Sequence, residues 1–167
     1  MSVGTLVTLQ EYLDTAYSPD REYVDGVVVE RNEGERPHSF VQNRLIVLLN
    51  RDYPALFIWP EWRTRTKGTR YRVPDLCVTL RDPQTLVLEE APFLAIEILS
   101  QNDPMKDVID KFDEYAASGV PNIWLFDPWH KRASIYAGGM LHPVTGDSIA
   151  TSDPVIQLKL DDVFRGV

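Results

Sequence analysis

The spacing of apolar residues changes along the chain, and each period predicts an element. From about Pro37 to Arg51, Phe40, Val41, Leu45, Leu48 and Leu49 fall near one face, with Arg44 among them, as in an amphipathic helix. A second helix from Pro104 or Met105 to Ser118 carries the stripe Val108, Ile109, Phe112, Tyr115 and Ala116. Asp103 is its expected N-cap with Pro104 at the first helical position, and Gly119 its left-handed stop. Short aliphatic runs bounded by turn residues predict strands over 56–65, 70–80, 93–99 and 122–127. The order is αβββαβ, and strand–helix–strand at the end is a crossover to a parallel neighbour.

Extensions flank this core. Thr8-Leu9-Gln10-Glu11 is a capping box opening a short helix to about Ala16. Glu22-Tyr23-Val24 and Val27 to Glu30 flank Asp25-Gly26, a hairpin turn pair. Outer strands are expected over 133–136 and 140–141, an edge strand over 155–160 and a helical turn over 161–164. The fold class is therefore α/β: a mixed sheet flanked by helices, with an N-terminal helix-hairpin extension and C-terminal strands.

At 167 residues, positions 1–167 are read as one domain able to bury its own core. The single cysteine, Cys77, excludes an internal disulfide and suits a reducing compartment. No apolar run is long enough to cross a bilayer, so no membrane role is expected and a cytoplasmic location is. The net charge of −8 weakens any reading in which the whole surface binds nucleic acid. A local basic stretch remains. With Lys67 paired to Arg70 across Gly68-Thr69, alternation places Arg63, Arg65, Lys67, Arg70 and Arg72 on one side of a ribbon. That side is either a solvated edge or a phosphate-binding ladder. Asp75 falls on the opposite face unless a bulge at Val73-Pro74 intervenes.

Candidate chemistry centres on two carboxylates inside apolar runs, Asp75 in Val-Pro-Asp-Leu-Cys-Val and Glu97 in Ala-Ile-Glu-Ile-Leu. A buried charge is costly unless paired or bound to a cation, and two acids on neighbouring strands are relieved by a divalent metal. The competing reading is structural: Asp75 capping a turn, and Glu97 salt-bridged to an arginine or to Lys111. His38 and Gln42, four apart, share one side of the first long helix.

Several stretches carry a resemblance: Glu22-Tyr23-Val24-Asp25-Gly26, His38 opening a helix, Val73-Pro74-Asp75, and Pro92 to Ser100 with Glu97. Asp107-x-x-x-Lys111-x-x-x-Tyr115 and Gly119-Val120-Pro121-x-x-Trp124-x-x-Asp127-Pro128 complete the set. In this order they resemble the PD-(D/E)xK nuclease superfamily and, more closely, the Uma2 family of restriction-endonuclease-like proteins. The resemblance implies a Mg²⁺ (or Mn²⁺) site on Asp75, Glu97 and the backbone carbonyl of Ile98. The superfamily's lysine two places after the glutamate is absent, since Leu99 stands there; the Uma2-like pattern supplies Lys111 from the next helix instead. Glu22, His38 and Tyr115 become outer members of the site. The activity implied is endonucleolytic hydrolysis of DNA, with the basic ribbon guiding the backbone and a homodimer compatible with duplex cleavage. The alternative is a catalytically inactive nucleic-acid-binding or partner-binding protein of the same fold.

Overall fold

The computed structural model describes residues 6–31 and 34–167. Helix α1 (Leu9–Asp14) opens on the capping box: Thr8 accepts from the Glu11 N–H at 3.2 Å, and the Glu11 carboxylate accepts from the Thr8 N–H at 2.7 Å. Strands β1 (Glu22–Val24) and β2 (Val27–Val29) form the expected hairpin, whose turn residues Asp25 and Gly26 take φ of 49° and 93°. Helix α2 (Arg36–Asp52) buries Val41, Leu45, Leu48 and Leu49 as its periodicity requires.

Two expected strands are each broken in two. The run 56–65 becomes β3 (Phe57–Pro60) and β4 (Thr64–Lys67), parted at Glu61 with φ 50°. The run 70–80 becomes β5 (Arg70–Arg72) and β6 (Leu76–Thr79), parted at Val73-Pro74-Asp75. Each break sits beside a proline, which has no N–H for a ladder. Between the breaks the chain leaves one sheet for another and returns.

There follow β7 (Leu94–Ile98), α3 (Met105–Ala117), β8 (Asn122–Asp127), β9 (Arg132–Ala137) and β10 (Met140–Pro143). The chain ends with β11 (Ser148–Ala150), β12 (Gln157–Lys159) and α4 (Leu160–Phe164). Pro104, not Asp103, occupies the N-cap of α3; the Asp103 carboxylate instead accepts from the Ser100 N–H at 2.8 Å. Gly119 stops the helix at φ 96°.

The main sheet has the order β10-β9-β8-β7-β6-β3 and is mixed, with β7 and β8 parallel across the α3 crossover and the other pairs antiparallel. A second sheet, β2-β1-β5-β4, holds the N-terminal hairpin. The stretch 155–160 contributes β12, which pairs with β11 rather than extending the main sheet. Alternation along β7 divides the core. Leu94, Ile96 and Ile98 pack on the side of α2 and α4, with Leu45, Leu49, Trp124 and Phe126. Ala95 packs on the other side, against Phe112 and Tyr115 of α3.

Candidate functional site

Glu97 shares the α3-facing side of β7 with Ala95, and this decides its partners. Lys111 and Tyr115, four apart, stand on one face of α3 above it. The Tyr115 hydroxyl donates to Glu97 Oε1 at 2.6 Å, and Lys111 Nζ lies 3.3 Å from Glu97 Oε2. Lys111 also reaches Glu22 Oε1 at 3.1 Å, and Glu22 is held further by Arg72 at 2.8 Å and by the Val73 N–H at 3.3 Å. The first residue of β1 is thus tied to the third turn of α3.

Asp75 arrives from the break before β6. The pairing Leu76↔Ile96 continues by register to Asp75 opposite Glu97, where the ladder has already ended. The Asp75 side chain takes over the Ile98 N–H, accepting it at 2.7 Å through Oδ2. His38 Nε2 lies 3.2 Å from the same oxygen, and Arg31 Nη2 lies 2.8 Å from Oδ1. The Asp75 carbonyl accepts from Gln42 Nε2 at 3.0 Å and from the Glu61 N–H at 3.3 Å. Since the Leu99 N–H donates to the Phe126 carbonyl at 2.9 Å, the N–H and C=O of Ile98 face the other way, toward Asp75.

The residues Glu22, His38, Asp75, Glu97, Ile98 and Lys111 all line one cleft of about 580 Å³, together with Arg31, Arg72 and Leu99. Tyr115 lies beneath it, fully buried. Glu22, Asp75 and Glu97 are 3%, 4% and 7% exposed, so three carboxylates are removed from water around one ammonium. Burial alone would raise the Asp75 carboxyl, but the hydrogen bond and charge of His38, then Arg31 and Lys111, hold it below the ordinary value. Burial likewise opposes ionisation of Glu22, and Lys111 and Arg72 outweigh it. Glu97 fares differently. Burial and the charges of Asp75 and Glu22 push it up to about 7, against the pull of Lys111 and the Tyr115 hydrogen bond. Burial would lower the Lys111 ammonium, but Glu97, Glu22 and Asp75 raise it well above the lysine range. The His38 imidazole, which burial would lower, is raised by the Asp75 hydrogen bond, and its Nδ1 has no partner among the described residues.

This donor set fits a hard divalent cation. Burial first, and then the neighbouring Asp75 and Glu22, disfavour the charged form of Glu97, and a cation bound there would relieve both. Among the described residues no three His, Cys, Asp or Glu side chains group as a complete metal cage. Two carboxylates and a carbonyl suit magnesium, which keeps several waters and takes further oxygens from a phosphate.

The basic ribbon is not a one-sided ladder. Lys67 does pair with Arg70, but the register shifts between Arg65 and Lys67, so Arg65 stands opposite Tyr71 and Thr64 opposite Arg72. The bulge therefore sends Arg65 to the Tyr71 face and Arg70 and Arg72 to the other. Nearby acids meet the arginines: Arg63 pairs with Asp20, Arg65 with Glu89, Arg70 with Asp25 and Glu114, and Arg72 with Glu22 and Glu114. Arg72 and Asp75 line the same cleft because the chain passes from one sheet to the other at Val73-Pro74-Asp75, where the sequence allowed a bulge. Sequence reasoning missed Arg31 and Glu114. Glu114 follows Lys111 by three places on α3 and was legible as a neighbour; Arg31 sits in a polar loop with no pattern to single it out.

Comparison with known proteins bears on the family and the fold. The family model Uma2, described as "Putative restriction endonuclease", matches residues 9–161. Among solved structures, "a putative nuclease belonging to DUF820" from Anabaena variabilis superposes with a TM-score of 0.77 at 22% identity, over 95% of this chain and 97% of that one. The likeness establishes a restriction-endonuclease-like fold. No curated protein matches the chain.

Proposed function

The chain belongs to the Uma2 family, and from that premise we propose that it is an endonuclease hydrolysing phosphodiester bonds in DNA with a divalent metal, Mg²⁺ or Mn²⁺. The observation that carries the reading is the convergence of Asp75, Glu97 and Lys111 in one cleft, with both carboxylates buried. Asp75, Glu97 and the Ile98 carbonyl would hold the ion. When bound, it supplies polarisation of the scissile phosphate and a lower pKa for an attacking water.

The protein's own groups have separable tasks. The Ile98 N–H and His38 fix the Asp75 carboxylate, leaving its Oδ1 edge toward the cleft. Tyr115 fixes one oxygen of Glu97 and leaves the other toward Lys111. Glu22, itself fixed by Arg72, holds Lys111 in place, so its ammonium is positioned before charge builds on the phosphate and needs no reorganisation then. Lys111 therefore takes the part of the lysine missing after Glu97.

Supercoiled plasmid with Mg²⁺ or Mn²⁺ tests this. Wild type is expected to nick it, Asp75→Asn and Glu97→Gln to be inactive, and Lys111→Met to lose about 100-fold or more in rate. A folded wild type that retains DNA without cutting it would make the protein a non-catalytic nucleic-acid binder of the same fold.

A further inference from the structure

We propose that Arg31 is a transferable cation: it holds the Asp75 carboxylate in the free protein and moves to a non-bridging oxygen of the scissile phosphate when metal and substrate arrive. The inference rests on the metal-dependent reading above and adds the way in which metal and substrate become coupled.

The two oxygens of Asp75 are not equivalent. Oδ2 is committed to the backbone of Ile98 and to His38. Oδ1 has the Arg31 guanidinium, at 2.8 Å, and it is the oxygen an incoming cation must use. A guanidinium and a divalent ion on one carboxylate oxygen repel strongly in a site this dry, because the low dielectric that strengthens attraction strengthens repulsion equally. Metal entry therefore loosens Arg31. Among the described residues, the guanidinium has one other acid in ion-pair reach, Glu61. The Arg31 side chain is 12% exposed, and Glu61, 3.8 Å away, is too distant for a hydrogen bond and nearly half in water. Arg31 lines the same cleft as Glu97 and Lys111. A phosphate bound there offers what Asp75 gave up, two acceptor oxygens in the geometry that a planar guanidinium fork matches. Metal alone thus binds against an internal competitor, whereas metal with phosphate satisfies every charge. Each ligand should raise the affinity of the other by the same factor.

Calorimetric titration of Mn²⁺ into wild type and Arg31→Gln, with and without a cleavage-resistant phosphorothioate DNA duplex, reads this directly. In wild type the duplex should tighten Mn²⁺ about tenfold or more; in Arg31→Gln, Mn²⁺ without duplex should bind about tenfold tighter than in wild type and the gain from duplex should disappear. Unchanged or weaker Mn²⁺ binding by Arg31→Gln without duplex would make Arg31 a purely structural partner of Asp75 and overturn the proposal. No binding of Mn²⁺ by wild type under either condition would remove the metal reading itself, and this inference with it. Arg31→Lys retains the charge but not the fork, and serves if the glutamine variant does not fold. It should keep the wild-type affinity for Mn²⁺ alone and lose most of the gain from duplex. A full gain in that variant overturns transfer to phosphate.

Discussion

At the scale of single residues, Glu97 makes a prediction with a definite sign. Folded, it keeps its proton up to about 7; in the unfolded chain it gives it up near 4.5. Between these values the native state binds more protons, so stability falls as pH rises through that window, by about 3 kcal/mol in all. Asp75 and Glu22, held below the ordinary carboxylate value, act with the opposite sign and only at more acid pH. His38, raised by Asp75, adds a decline of the same sign as Glu97. Thermal melts of wild type and Glu97→Gln from pH 5 to 8 isolate the Glu97 part by difference: the variant should show the flatter profile and be the more stable of the two at pH 8. Mn²⁺ should raise the wild-type melting temperature more at pH 8 than at pH 6, because the proton and the metal compete for Glu97, and should leave the variant unmoved. A steeper profile in Glu97→Gln would mean that the carboxylate is fully compensated by Lys111. The carboxylates themselves were legible because an acid in an aliphatic run has few structural excuses. Arg31 was not, because an arginine in a polar loop is unremarkable until the fold brings it 44 residues along the chain to Asp75.

At the scale of elements, sequence periodicity found the helices and misjudged the strands. A 17-residue helix repeats its apolar stripe several times, so α2 announces itself. A strand of three or four residues shows at most two alternations, and two such strands joined by a proline-containing corner read as one long strand. The basic ladder failed separately, since a single bulge after Arg65 exchanges the faces of everything beyond it. Two arginines expected on one face therefore should behave differently. Arg65 is half exposed beside Glu89, and Arg65→Ala should change stability by about 0.5 kcal/mol or less. Arg72 is 13% exposed and bridges Glu22 of β1 to Glu114 of α3. Arg72→Ala takes one partner from each of two acids, leaving Glu22 on Lys111 and Glu114 on Arg70, and should cost about 1.5–3 kcal/mol, read by urea denaturation. Equal effects at the two positions would restore the one-sided ribbon.

At the scale of the whole molecule, the proposed cleavage of DNA would bring a protein of net charge −8 to a polyanion. The cleft alone does not attract it, since Glu30, Asp103, Asp107 and Asp110 line it with the three inner carboxylates, against Arg31, Arg72 and Lys111. The arginines of β4 and β5 are paired with acids of the same chain, which lowers the gain from releasing counterions of DNA. On the proposed reading, attraction then comes from cations that the protein first collects. DNA retention should accordingly depend on divalent ions and not merely tolerate them. In fluorescence anisotropy with a labelled duplex, wild type should bind weakly in EDTA and about tenfold or more tightly with Ca²⁺, a hard cation that takes oxygen ligands as Mg²⁺ does. Asp75→Asn should bind the duplex alike in both buffers. Tight binding by wild type in EDTA would require a cationic surface outside this cleft, and the search for the DNA path would move there.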